Sequence, residues 1–241
     1  MNETNGHRPK QRRMRADALR NREQILRSAV DLLIEQGPAA PMEAIARRAG
    51  VGIATLYRHF PDRSVLLRQV ALDTLRQSAH EATVSLAEEP DAFAGLSRFM
   101  HDSIDLRIGA VMPVLADRVP MDDELMAARR ESRDAVDALV DAAHRQGYLR
   151  EDVTSGDIGL LIIRLTPPLP GEMDPEDNHQ LSHRHLELLL DGLVRVMSDQ
   201  ELPGPVLSTD ELTRIPPGPG PGYAGMTDEL RAKVQGRCHP R

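Results

Sequence analysis

Apolar residues recur at helical spacing through most of the chain, and nowhere do they alternate as a half-buried strand requires. Ile25, Leu26, Ala29, Leu32 and Leu33 share one helical face, and Gly37-Pro38 ends that run. Short helices are predicted over 42–49 and 53–60, parted by Gly50-Val51-Gly52. Pro61-Asp62 opens a longer helix through Leu66, Leu67, Val70 and Leu75, which Glu88-Glu89-Pro90 closes. Further helices are predicted over 91–108, 113–118 and 122–146, the last closed by Gly147. Thr154 and Asp157 have the spacing of a capping box and open a helix that stops at Pro167-Pro168. Residues 172–178 read as an acidic loop. Ser182 reads as the N-cap of a final helix to about residue 198, with Leu181 and Leu186 as its hydrophobic staple. The pattern predicts an all-α chain with a helical head (17–68) and a helical body (69–200). They are flanked by a disordered basic arm (1–16) and a disordered Pro/Gly-rich tail (201–241).

Composition agrees with helix. Aromatic residues are 2% of the chain and Trp is absent, so Leu, Ala, Val and Ile must pack the core. The longest apolar runs, 110–116 and 158–163, fall far short of the ~20 residues that span a bilayer. The basic N-terminus has no apolar stretch behind it, so a secretory signal is not expected. The single cysteine, Cys238, leaves no intrachain disulfide and no cysteine-rich zinc site. A cytoplasmic protein without a membrane partner is the simplest expectation.

Charge changes the picture. Residues 1–68 hold 13 Lys and Arg against 7 Asp and Glu, whereas residues 69–241 hold 17 against 30. A basic head on an acidic body points to a head that meets a polyanion, although a solvated basic surface would have the same composition.

The segment 42–60 carries the most specific signal. A helix-turn-helix needs a small residue where its helices touch, Gly where the turn takes positive φ, and an aliphatic residue facing back from the second helix. Ala46, Gly50 and Leu56 meet these demands, and Ile45 and Val51 add apolar contacts. The second helix would then lie in a DNA major groove. The run Ala44-Ile-Ala-Arg-Arg-Ala-Gly-Val-Gly-Ile-Ala-Thr-Leu-Tyr-Arg-His-Phe60 resembles the DNA-binding head of the tetracycline-repressor (TetR) family of bacterial regulators. The resemblance covers 21–67, including Ile25-Leu-x-x-Ala29 and Pro61-Asp-Arg-x-x-Leu66. The head is most similar to actinobacterial members, and the body resembles the SbtR-type subgroup. Gly52 departs from relatives that carry Ser or Thr as N-cap. It caps nearly as well but gives up a hydroxyl that could touch phosphate.

The resemblance implies a helix-turn-helix DNA-binding domain joined to a C-terminal helical ligand-binding and dimerisation domain. In the head, Gly52 starts the reading helix, and Ile53, Ala54, Thr55 and Arg58 would face the groove. Arg58 can donate twice to guanine and Thr55 can touch a thymine methyl. Tyr57 and His59 would hold phosphate or the groove edge, and Arg47, Arg48 and Arg63 would meet backbone. Leu56 and Phe60 should be core. Solvated charge is the other reading of Arg47 and Arg48, core the other reading of Tyr57, and phosphate contact the other reading of Arg58.

The resemblance implies a homodimer and a small-molecule inducer. Ile158, Leu161, Ile162 and Leu165 form one apolar stripe, and Leu186, Leu189, Leu190, Leu193 and Met197 form another. These are the candidate four-helix dimer bundle, with ordinary intrachain core as the alternative. Phe93, Leu96, Phe99, Met100, Ser103, Arg107, Met112 and Met126 are the candidate ligand-pocket residues, again with plain core as the alternative. The function expected is a ligand-responsive, sequence-specific regulator, most simply a repressor, released from a palindromic operator by an inducer. A non-specific DNA-binding protein and a helical enzyme are the alternatives. No Walker loop, serine elbow or paired-His zinc helix supports the enzyme. His179, His183 and His185 cluster in sequence, but Pro175 and the acidic loop argue that His179 and His183 do not share a helix. Solvated histidines, with no metal or cofactor, are expected.

Overall fold

The computed structural model describes residues 7–116, 118–169, 173–194 and 202, with side chains from Asp17 onward. Among them the chain forms nine α-helices and no strand, apart from one isolated antiparallel bridge between Leu149 and Val194. No helix of the described residues is long and apolar enough to cross a membrane.

Helix α1 (His7–Gln36) begins ten residues earlier than the apolar pattern predicts, so residues 7–16 are helical rather than an irregular arm. Arg, Lys, Gln, Met and Ala are good helix formers, and Pro9 falls in the first turn, where its missing N–H is harmless. The head is completed by α2 (Met42–Arg48), α3 (Ile53–His59) and the first half of α4 (Arg63–Glu88). Their core joins Ile25, Ala29, Leu32 and Leu33 of α1 to Ile45, Leu56, Phe60, Leu66 and Val70. Asp62 caps α4 by accepting from the Val65 N–H at 2.9 Å.

The body comprises α5 (Ala92–Asp105), α6 (Ile108–Leu115), α7 (Asp123–Arg145), α8 (Ser155–Leu165) and α9 (Pro175–Leu193). Helix α6 starts five residues before its predicted position because Arg107 turns the chain in the left-handed region, at φ 56°. Pro113, which reads as a helix start, lies inside it. The capping box at Thr154 and Asp157 forms as predicted, and Gly147 ends α7 at φ 75°.

Helix α9 overturns two expectations. It starts at Pro175, with Asp174 as N-cap, so the acidic segment is its first turn and not a loop. Glu176 and Asp177 there suit the positive end of the helix dipole. Ser182 sits mid-helix and donates to the Leu165 and Asn178 carbonyls, at 2.8 and 3.1 Å, instead of capping.

Ile158, Ile162, Leu186, Leu190 and Leu193 turn into the body's own core, with Leu96, Phe99, Leu139 and Val140. This corrects their assignment to a dimer interface. Two apolar stripes on neighbouring helices can satisfy each other within one chain. Leu161, Leu165 and Leu189 remain half-buried at the edge, and Met197 and the 201–241 tail, apart from Leu202, lie outside the described residues.

Head and body share packing. Val111 and Leu115 of α6, and Leu125 and Ala128 of α7, belong to the head's core cluster. Helices α6 and α8 cross so closely at Gly109 that a Cβ there would stand 2.3 Å from the Ile162 carbonyl oxygen.

Candidate nucleic-acid interface

The turn between α2 and α3 is set by Gly50, at φ 66°. The Val51 N–H donates to the Ala46 carbonyl at 3.0 Å, and the Gly50 N–H donates to the Arg47 carbonyl at 3.2 Å. This paired closure satisfies the last carbonyls of α2 and needs a left-handed residue at position 50. A Cβ on Gly50 would meet nothing within 4 Å, so glycine is required there for its φ and not for space.

Helix α3 presents two faces. Leu56 is fully buried, and Phe60, at the helix end, is buried beside it. The outer face carries Ile53, Ala54, Tyr57 and Arg58, at the i, i+1, i+4 and i+5 positions. Ile53 is 39% exposed and Tyr57 42% exposed, which removes the reading of Tyr57 as core. Isolated apolar side chains held in water on a basic head are what a partner surface would cover. Thr55 and His59 are half-buried on the flank, so Thr55 sits at the margin of the reading face and not in its centre. Gly52 is the N-cap of α3, in extended geometry and without a side-chain cap.

The head's arginines divide sharply. Among the described residues, Arg58 and Arg47 are exposed with no hydrogen bond or ion pair to hold them. Arg48 instead donates to Glu35 of α1 at 2.6 Å, and that bond raises its pKa further. Arg63 donates to the Pro38 carbonyl at 2.6 Å and to the Ala40 carbonyl, strapping the start of α4 to the α1–α2 loop. Arg63 is therefore a structural strap in this arrangement, contrary to its expected backbone-contact role, because a neighbouring loop offers it unpaired carbonyls. Arg22 lies over the Phe60 ring at 5.7 Å and approaches Asp73 of α4 at 3.9 Å. Sequence pattern did not point to it, since its partners are far away in the chain.

The expected pocket residues separate. Leu96, Phe99, Met100 and Ser103 meet in the body core, and Phe93 lies half-buried beside them. The Ser103 hydroxyl bonds its own helix at the Phe99 carbonyl. Arg107 points away, to Asp31 of α1. Met112 packs against the head cluster, and Met126 is 44% exposed on α7. These three do not join the pocket set: Arg107 lies in the turn that leads into α6, the early start of α6 sets Met112 against the head, and Met126 lies on the exposed side of α7. The buried Ser85 hydroxyl of α4, near Gly95 of α5, lacks a hydrogen-bond partner.

A packed two-helix unit with a glycine turn, an outward-facing second helix and unheld arginines at 47 and 58 on a basic head defines a helix-turn-helix DNA-binding protein. Residues 25–70 match the family described as bacterial regulatory proteins, tetR family, and residues 91–195 match the SbtR-like transcriptional regulator C-terminal domain. A TetR regulator from Mycobacterium vanbaalenii is 31% identical, with a TM-score of 0.54 over 76% of this chain and 99% of that one. A TetR regulator from Streptomyces coelicolor is 30% identical, with a TM-score of 0.53 over 73% and 99%. An HTH-type transcriptional regulator of Staphylococcus aureus is 46% identical over 54 residues, 22% of this chain and 29% of its own. The chain spans between 29% and 51% of the length of the first curated relatives it matches. The chain belongs to the TetR family of DNA-binding transcriptional regulators.

Proposed function

We propose that the chain is a repressor that binds a palindromic operator as a homodimer and is released by a small-molecule inducer. The observation that carries the DNA-reading half is the contrast among the arginines. Arg58 stands unheld on the outer face of α3 beside Ile53, Ala54 and Tyr57, whereas Arg48 and Arg63 are tied down. Arg58 reads a base edge and Arg47 meets phosphate.

One such helix covers only a few base pairs, and two must stand about 34–36 Å apart to read successive grooves. The outer side of α8 and α9 supplies the pairing surface. Leu181, Leu188 and Gly192 lie along one face of α9, Leu188 is 63% exposed, and Leu161, Leu165 and Leu189 are half-buried nearby. Those last three keep the role expected of them, while their inward-facing neighbours do not.

The inducer acts on the body core around Phe93, Leu96, Phe99, Met100 and Ser103, where the unpartnered Ser85 hydroxyl offers a polar handle. Helix α4 runs through both cores and α6 packs into the head. A ligand that favours a tilted α4 therefore shifts the population of heads held at operator spacing.

Selection of bound fragments from genomic DNA tests the reading. A symmetric site, preferred over scrambled duplex at fixed salt and bound with a steep salt dependence, is the expected result. Equal affinity for scrambled duplex would make the chain a non-specific DNA binder, and a monomer in solution would remove the operator geometry.

A further inference from the structure

The end of α5 meets α9 at a cluster that the DNA-reading function does not use. Because α9 starts at Pro175, His179 and His183 stand one turn apart on the same face, contrary to the sequence expectation. Both Nε2 atoms converge on one oxygen of Asp105, the last residue of α5, at 2.8 and 2.9 Å. The two Nε2 atoms are 3.3 Å apart. Behind them, His101 places its Nδ1 2.6 Å from the His183 Nδ1 and its Nε2 2.9 Å from Glu187 Oε1. We propose that Asp105, His179 and His183 bind a divalent first-row transition ion of the zinc class, supported from outside by His101 and Glu187.

The distances favour a metal. Zinc bonds nitrogen and oxygen at about 2.0–2.2 Å, so neighbouring ligands in a tetrahedral site stand roughly 3.3 Å apart. The His179–His183 separation matches, and all three donor atoms fall within 4.8 Å of one another. Asp105 needs to retreat by about half an ångström to reach the same spacing, and its exposed side chain at a helix end has room to do so.

Ring orientation favours it too. Glu187 Oε1 holds the Nε2 edge of His101, and His101 Nδ1 meets His183 Nδ1. The His101 and His183 rings are parallel to within 5° with centres 4.9 Å apart, the nitrogen separation plus one ring radius at each end, so this contact is head-on and in plane. The other nitrogen of His183, Nε2, is thereby aimed at the Asp105 oxygen beside His179 Nε2, and a cation seated among the three atoms would be held by all of them.

Metal-bound histidines are usually held at their other nitrogen by a carboxylate, carbonyl or water, which fixes tautomer and ring orientation; here His101, itself held by Glu187, takes that place behind His183. Two imidazoles and one carboxylate select zinc, cobalt, nickel or copper over magnesium or calcium, which prefer all-oxygen shells. Three protein ligands leave a position for water or a small ligand. The ion would clamp the end of α5 to α9, two residues before Arg107 reaches across to the head.

The test is titration of the metal-free full-length protein with Co²⁺, followed by displacement with Zn²⁺. One equivalent of Co²⁺ should bind with the visible ligand-field bands of a four-coordinate nitrogen and oxygen site. His179→Ala, His183→Ala and the near-isosteric Asp105→Asn should lose those bands, while His101→Ala should weaken binding by about 10–100-fold. His185→Ala, an exposed histidine on the same helix, should bind as wild type. Zn²⁺ should raise the melting temperature of wild type and of His185→Ala but not of His183→Ala, with circular dichroism confirming that each variant is folded. Wild-type protein that takes up no ion at micromolar concentration, or folded His179 and His183 variants that bind as tightly as wild type, would overturn the site.

Discussion

The Arg107 guanidinium lies 2.7 Å from Asp31 of α1, and Arg107 is also the residue whose left-handed backbone turns the chain from α5 into α6. One residue thus sets the direction of α6 and ties it to the helix that frames the head. The two contributions differ in size. An exposed ion pair of this kind contributes roughly 0.2–1 kcal/mol, whereas a side chain at positive φ costs roughly 1–2 kcal/mol relative to glycine. Arg107→Ala should therefore destabilise the protein slightly. Arg107→Gly, which loses the same ion pair but relieves the backbone, should be more stable than Arg107→Ala by about 1 kcal/mol. Urea denaturation of the two variants side by side checks this. Equal midpoints would mean that the turn is unstrained.

Arg47, Arg48 and Arg58 of the helix-turn-helix and Arg63 at the start of α4 should give four different phenotypes. Arg58→Ala should cost about 1–3 kcal/mol at one base position and relax preference there. Arg47→Ala should weaken all duplexes alike and reduce the salt slope by about 1. Arg48→Ala should leave base preference untouched, since its bond to Glu35 is exposed. Arg63→Ala should lower thermal stability first, because it frees the Pro38 and Ala40 carbonyls it straps. Binding measured across a set of single-base operator variants at several salt concentrations separates these outcomes. A uniform loss of affinity with a reduced salt slope for Arg63→Ala, with unchanged stability, would return that residue to the phosphate contact expected of it.

The reading unit was legible in the sequence because its requirements are local. Gly50 must turn left-handed, Leu56 must face back and Phe60 must plug the end, all within a dozen residues. What the sequence concealed depends on distant partners. Arg48 finds Glu35, Arg63 finds the α1–α2 loop, and His183 finds His101 more than eighty positions away. The dimer stripes were misread for a related reason. Periodicity shows that Ile158, Ile162, Leu186 and Leu190 share an apolar face, but not whether a neighbouring helix or a second chain covers it. The start of α9 failed differently. Asp174, Pro175, Glu176 and Asp177 have the composition of a loop, and the same residues are a favourable N-cap, first position and first turn of a helix.

The two glycines bracketing the turn should respond oppositely to a side chain. Gly50→Ala imposes positive φ on alanine and should cost roughly 1–2 kcal/mol, with operator affinity falling as α3 loses its registration. Gly52 is already extended, at φ −68° and ψ 146°, and a Cβ there meets nothing within 4 Å. Gly52→Ser adds an N-cap hydroxyl to α3 without strain and should stabilise the head by a few tenths of a kcal/mol. Denaturation midpoints of both variants, monitored by circular dichroism, decide the matter. Destabilisation by Gly52→Ser would show that the entry to α3 is more constrained than its open surroundings suggest.

The buried Ser85 hydroxyl should be a liability in the free protein. Leaving such a group unpaired costs about 1–3 kcal/mol, so Ser85→Ala should raise stability rather than lower it. If the same hydroxyl is the handle for an inducer, that variant should also need more inducer to leave its operator. Denaturation and a release titration measure the two effects independently. A destabilised Ser85→Ala would imply that the hydroxyl has a partner after all.

Acid should loosen the junction between α4 and α7. Arg68 of α4 donates to Asp122 at 2.6 Å and to Glu124 at 2.7 Å, and Arg76 donates to Glu124 at 2.9 Å. These bonds hold both carboxyls below their ordinary values of 3.8 and 4.5, the Arg68 hydrogen bond being the leading cause for each. A carboxyl whose pKa is lower folded than unfolded contributes stability above its unfolded value, and loses it as pH falls through the folded one. The contribution is therefore intact at neutral pH and disappears below about pH 4. Asp122 also caps α7 through the Leu125 N–H, so its protonation weakens the start of that helix as well as the ion pair. Arg68→Gln should remove much of this pH dependence, giving a wild-type-to-variant gap in urea midpoint that is present at neutral pH and narrows as the buffer drops below those carboxylate values. A gap that stays constant into acid would show that Arg68 acts through packing of its stem against α4 and α7, and not through its charge.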